Sequence, residues 1–299
     1  MRRLAALACA LALALTGCGG PPAEDDALHV LATTYPVYLF TTAVTEGAEG
    51  VEVDLLVNQP TSCLHDYTLT VTDMKAVQRA DVIVMNGAGL EDFLDSALAA
   101  SEAETVDCSA GLDLLPAQGH EGHHHDTLYD PHIWMDPSYA AQMVEAIVQG
   151  LSALDGGGAD LFRLNGDLAQ QTLAGAAADW AGELERWQGR SIITFHDGFQ
   201  YFASFLGLDI YKAIEEEEGA TVSARELTEI ISLLRQEGPG SIPIFTEVNG
   251  STASAETIAR EVGCQVYELS MLMSGEGTGI QPYLEAMERN IQAITEAFS

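Results

Sequence analysis

Basic side chains are scarce in this chain: Lys and Arg total 12 among 299 residues, against 45 Asp and Glu, for a formal charge of −33. A surface so one-signed repels phosphate backbones and excludes nucleic acid as a partner. It is compatible with attracting cations, although an acidic coat alone does no more than keep a protein soluble. No apolar run is long enough to cross a bilayer as a permanent helix, the longest candidate being Leu4 to Leu15. Neither HExxH nor GxSxG occurs, so two common hydrolase signatures are missing.

Arg2 and Arg3, the apolar stretch from Leu4 to Leu15, and Leu15-Thr16-Gly17-Cys18 have the grammar of a secretory signal. The small residues before Cys18 resemble the lipobox of bacterial lipoproteins, which implies cleavage of residues 1–17 and a lipid on the Cys18 sulfur. Cleavage would remove two arginines and no acid, leaving the remainder more negative still. Residues 18–27 then read as a Gly/Pro/acidic tether. With Cys18 lipidated, Cys63, Cys108 and Cys264 remain, an odd number that cannot pair completely.

The remaining length is enough for two core-bearing lobes. Strand-like runs at 28–32, 51–56 and 81–85 alternate with helical patterns, and the same grammar returns at 191–195, 242–246 and 265–269. Alternation of this kind predicts an α/β fold of two lobes, each a mainly parallel sheet flanked by helices. Residues 28–157 form the first lobe in this reading and 189–299 the second. Between them, 158–188 is rich in Ala, Leu, Gln and Glu without proline, and is read as one long joining helix rather than two broken near Gly166 or Gly175. A helix over 138–154 precedes it, with Met143, Ile147 and Leu151 on one face and Gly156-Gly157-Gly158 beyond its end. Ser223 and Glu226 have capping-box spacing before a helix at 224–236.

Against this background three histidines stand in distinctive local patterns: His65 in Cys63-Leu64-His65-Asp66-Tyr67, His132 between two Asp-Pro pairs at 130–137, and His196 in Phe195-His196-Asp197. Neutral imidazole is the commonest protein ligand for zinc-like ions, and three of them with one further position make a coordination unit. The prolines restrict the backbone on both sides of His132, so its ring loses little freedom on binding. Asp130 or Asp136 could accept the ring N–H that does not face the metal, and Asp66 and Asp197 hold the matching place after His65 and His196. His120, His123, His124 and His125, in the Gly-flanked stretch 119–126, suit a weak metal-collecting loop. His29 lies in a strand and is read as structural. Tyr35, Tyr38, Phe40, Phe199, Tyr201 and Phe202 are assigned to core packing.

The motifs Leu64-His65-Asp66-Tyr67, Asp130 to Pro137, Thr194 to Phe202 and Phe245-Thr246-Glu247 resemble those of the zinc and manganese substrate-binding lipoproteins of bacterial ABC transporters, the ZnuA/TroA-like family. The likeness extends from about Leu28 to Phe298. It implies two α/β lobes joined by a long helix, an ion in the cleft between them, delivery to a membrane permease, and lipid anchoring on the outer side of the cell membrane. It also implies that His65 and His132 come from the first lobe and His196 from the second. Manganese members place a carboxylate where His196 stands and add an aspartate from the second lobe, whereas Leu269 to Ser274 here contains no acid. Three nitrogens favour Zn2+ over Mn2+ as the bound cargo. The fourth position is open to Glu247, Glu268, Cys63 or water. A monomeric receptor without enzymatic turnover is expected. The competing readings are a secreted zinc hydrolase, with Glu247 as its only general base, and a manganese-preferring receptor or adhesin.

Overall fold

The computed structural model describes residues 27–59, 64, 67–117, 128–214, 222–238, 240–248 and 250–299. The signal segment 1–17, Cys18, Cys63, His65, Asp66 and the histidines at 120 and 123–125 lie outside those residues.

The first lobe is built on four parallel strands, β1 (Leu28–Ala32), β2 (Val51–Leu55), β3 (Val82–Met85) and β4 (Glu104–Asp107), in the order β2-β1-β3-β4. The two central strands bury Val30, Leu31, Ala32, Val82, Ile83 and Val84 almost completely. Both faces of a parallel sheet are covered by its crossover helices, so such strands read as unbroken apolar runs. Those helices are α1 (Tyr35–Val44), α2 (Val71–Arg79) and the short α3 (Asp95–Leu98). The edge strand β2 alternates instead, with Glu52 and Asp54 exposed.

A helical pair follows, α4 (Pro137–Leu154) and α5 (Ala159–Leu184), which pack along one another. The 26 residues of α5 span about 39 Å at about 1.5 Å per residue. Gly166 does not break the helix, because it is a contact point: a Cβ there would come within 2.4 Å of Val148 Cγ2 on α4. A 3-10 turn at Glu185–Trp187 ends the joining segment.

The second lobe repeats the plan of the first. Its strands β5 (Ser191–Thr194), β6 (Asp209–Ala213), β7 (Ile244–Glu247) and β8 (Val266–Leu269) are again parallel, in the order β6-β5-β7-β8. Its helices are α6 (Gln200–Leu206), α7 (Ala224–Glu237), α8 (Ala253–Val262) and α9 (Gln281–Ala297). Ser223 caps α7 by accepting from the Glu226 N–H, but the reciprocal half of the box is diverted, since the Glu226 carboxylate pairs with Lys212 at 2.9 Å. Gly263 closes α8 in the left-handed region at φ +74°, where a residue without Cβ pays no steric penalty.

One core runs through both lobes, joining the interior of the first sheet to Phe199, Phe202, Leu269, Met271 and Tyr283 of the second half. A smaller cluster, including Ile193, Ile214, Ile230, Leu234 and Ile258, lies between the second sheet and the α7–α8 side. Both sheets reverse strand order between their first and third strands, and in open parallel sheets the crevice beyond the strand C-termini at such a point collects ligands.

Candidate metal centre

His132 opens the 3-10 turn Ile133–Met135 that leads into α4. Its surroundings are almost dry, with the residue 7% exposed and Asp130 3% exposed. One oxygen of Asp130, Oδ1, accepts from the His132 backbone N–H at 2.9 Å and stands 2.7 Å from the ring Nδ1. A carboxylate only accepts, so the ring proton sits on Nδ1 and the Nε2 lone pair is left for the cleft. Asp136 does something different. Its Oδ1 accepts from the Ser138 N–H at 2.7 Å and caps α4, so of the two aspartates proposed to orient His132 it is Asp130 that bonds the ring.

The loop is also held from the first sheet. Asn86, just past β3, donates from Nδ2 to the Pro131 carbonyl at 2.8 Å. Asn86 is itself fixed by Glu91, whose carboxylate accepts from the Asn86 and Gly87 backbone N–H groups and from Thr33 Oγ1, the last at 2.7 Å. Glu91 thereby ties the C-terminal ends of β1 and β3 together beneath the His132 loop. Burial pushes its carboxyl up to about 7, against the three donors that favour its charge. Sequence reasoning missed both residues. For Asn86 a signal was present in the paired glycines of Asn86-Gly87-Ala88-Gly89 after a strand, a stretch in which residues 87–89 take positive φ.

From the second lobe, His196 follows the end of β5 and brings its ring to within 5.4 Å of His132, centroid to centroid, at 85°. Gly198 allows that approach. A Cβ on it would lie 2.9 Å from His132 Nε2 and Cε1 and 2.4 Å from Met271 Cε. Glu247, the last residue of β7, is 3% exposed, and burial raises its carboxyl to about 7, opposed by the nearby His132. Its Oε2 has no hydrogen-bond partner among the described residues. Burial works against the charged form of His132, yet Asp130, then Asp197 and Glu247, outweigh it and raise the imidazole above its ordinary value.

Glu268 does not join this group. It is exposed and registers with Thr246, while Glu247 registers with Leu269, so the two glutamates leave opposite faces of the sheet. Asp197 is half-buried and acts on His132 through its charge. Among the described residues no three His, Cys, Asp or Glu side chains stand together closely enough to hold an ion. These residues bring His132 and His196 together, and the further ligand expected from sequence, His65, lies outside them, as does Cys63. Cys108 and Cys264 are unpaired.

Comparison with known proteins agrees with this architecture. The sequence profile described as ZnuA, the periplasmic zinc-uptake complex component A, matches residues 30–297. The zinc-binding lipoprotein AdcA of Streptococcus pneumoniae is 28% identical over 312 residues, covering 99% of this chain and 61% of that protein. The manganese-binding lipoprotein MntA of Halalkalibacterium halodurans is 26% identical over 251 residues, covering 79% of this chain and 77% of that one. A crystal structure of ZnuA superposes with a TM-score of 0.77 at 25% identity, over 92% of this chain and 100% of the other. Zn(II)-bound AdcA from S. pneumoniae gives 0.75 at 28% identity, over 91% and 57%. The chain thus spans 61% of the length of its AdcA relative.

Proposed function

The chain belongs to the family of the periplasmic zinc-uptake component ZnuA, and from that membership we propose that it captures Zn2+ in the cleft between its lobes and passes the ion to an ABC permease. The observation that carries the proposal is the meeting of two imidazoles from different lobes, His132 and His196, at 5.4 Å, with Asp130 orienting one of them. His65 is the third nitrogen ligand in this reading. Glu247, buried beside His132 on the second lobe, is favoured over Glu268 and Cys63 for the fourth position. Three nitrogens and one carboxylate suit Zn2+, whereas Mn2+ prefers an oxygen-rich sphere. The histidine-rich stretch at 119–126 would concentrate ions near the cleft. A lipid on Cys18 would keep the receptor at the outer face of the membrane, where a monomer can meet its permease. Among the described residues no helix is long and apolar enough to cross a membrane.

The decisive measurement is native mass spectrometry of the mature chain with Zn2+ and Mn2+ in competition, alongside His65→Ala, His132→Ala and His196→Ala. One tightly held Zn2+, lost from each variant, is the expected result. Unchanged zinc affinity in all three variants would overturn the proposal, and turnover on ester, phosphoester or peptide substrates would favour the hydrolase reading instead.

A further inference from the structure

The loop after β8 is held with unusual firmness. Asn290 clamps Ser270 on both sides, accepting from its backbone N–H at 2.8 Å and donating to its carbonyl at 2.9 Å. The next carbonyl, that of Met271, accepts from Trp134 Nε1 at 2.9 Å, so the loop is tied to the first-lobe segment that carries His132. Leu272 then sits in the left-handed region at φ +59°, one of two non-glycine residues to do so among those described. Strain of this kind persists only where the surroundings over-determine it, and it gathers at ligand clamps.

The clamp delivers the Met271 side chain to the edge of His132. Met271 is 1% exposed, and its Cε lies 2.4 Å from the point where a Gly198 Cβ would be, a point 2.9 Å from His132 Nε2. The thioether methyl, the Gly198 backbone and the unprotonated edge of His132 therefore converge on one spot. We propose that Met271 is a specificity-determining residue of the metal site, an apolar wall that denies the ion an additional water or oxygen ligand on the second-lobe side. This rests on the reading that His132 and His196 hold the ion. Zn2+ is satisfied by four ligands, whereas Mn2+ favours six oxygen-rich positions, so a wall discriminates by coordination number independently of which donors are present.

Co2+ serves as the probe because its visible bands are intense when four-coordinate and weak at higher coordination. Met271→Ala is expected to weaken those bands and to raise the Mn2+-to-Zn2+ affinity ratio about tenfold or more, since a freed position admits water. Met271→Leu, which keeps the wall and removes the sulfur, should move both readouts much less. Met271→Gln, close in volume but carrying an amide oxygen, should raise the ratio even if the alanine variant folds poorly. A Met271→Ala protein with parental bands and ratio overturns the proposal, and so does a Met271→Leu protein that behaves like the alanine variant, which would make the sulfur a ligand. A parental chain that binds no Co2+, or whose binding survives both His132→Ala and His196→Ala, overturns the site itself, an outcome distinct from failure of the wall alone.

Discussion

At the scale of single residues, Asp130 and Gly198 act on the same imidazole from opposite sides. Asp130 fixes its tautomer and orientation through 2.7 and 2.9 Å contacts, and loss of such a partner typically costs about 10–100-fold in metal affinity. Asp130→Ala is therefore expected to weaken Zn2+ by that order in a competition titration, while Asp136→Ala, which removes a helix cap, should lower stability more than affinity. Gly198→Ala would drive a methyl into His132 and Met271, and should impair Zn2+ binding measured by calorimetry. The titrating groups give a pH prediction whose sign is definite. Glu91 and Glu247 are raised to about 7 by burial and His132 is raised by its three acidic neighbours. Each raised group binds more protons folded than unfolded across its interval, so stability of the metal-free chain falls as pH rises through it, from about 4.5 towards 7 for the glutamates. Zn2+ needs the neutral imidazole, so acidification from neutrality should weaken binding before the ordinary histidine value is reached. Thermal unfolding across pH with chelator and with Zn2+ tests both directions. A metal-free midpoint that rises steadily from pH 5 to 7.5 would contradict the assignment.

At the scale of elements, the central strands were legible because both faces are buried, which leaves runs such as Val82-Ile83-Val84 no polar positions. The edge strands β4 and β6 were not, since Glu104-Thr105-Val106-Asp107 and Asp209 to Ala213 mix polar with apolar residues without the strict alternation that made the edge strand β2 readable. The same limit applies to the site. His132 and His196, whose rings the structure brings to 5.4 Å, could be singled out because proline pairs and a strand end mark them locally. The contacts of Glu91 and the wall we propose at Met271 come only from tertiary packing, where a glutamate in a polar turn and a methionine in an apolar run give no local sign. Gly166 shows a third case: the continuous helix read through it is what forms, and the missing side chain there lets α4 and α5 approach closely. Gly166→Val should therefore destabilise the fold by about 1–3 kcal/mol through overpacking against Val148. Urea denaturation would register the loss, with no comparable change in Zn2+ affinity because the site is elsewhere.

At the scale of the whole molecule, the lobes are bound together well beyond the joining helix. Tyr283 donates to the Trp134 carbonyl at 2.9 Å, Leu115 donates to Tyr201 Oη at 2.9 Å, and Asn58 forms a paired amide contact with the backbone of Gly275 at 3.1 Å in each direction. Gly279 donates to Thr42 Oγ1 of α1 at 2.8 Å, and the principal core crosses the boundary between the sheets. Large hinge closure would have to break these contacts together and expose apolar surface, at about 25 cal/mol for each Å² uncovered. Metal loading should therefore change the radius of gyration in solution X-ray scattering very little. It should instead appear as stability, since an ion that binds only the folded state adds about 2.7 kcal/mol at 100 times its dissociation constant. With one core shared by both lobes, that gain should shift a single unfolding transition as a unit. Two calorimetric transitions, of which Zn2+ moves only one, would show that the lobes unfold separately and that the shared core does not couple them.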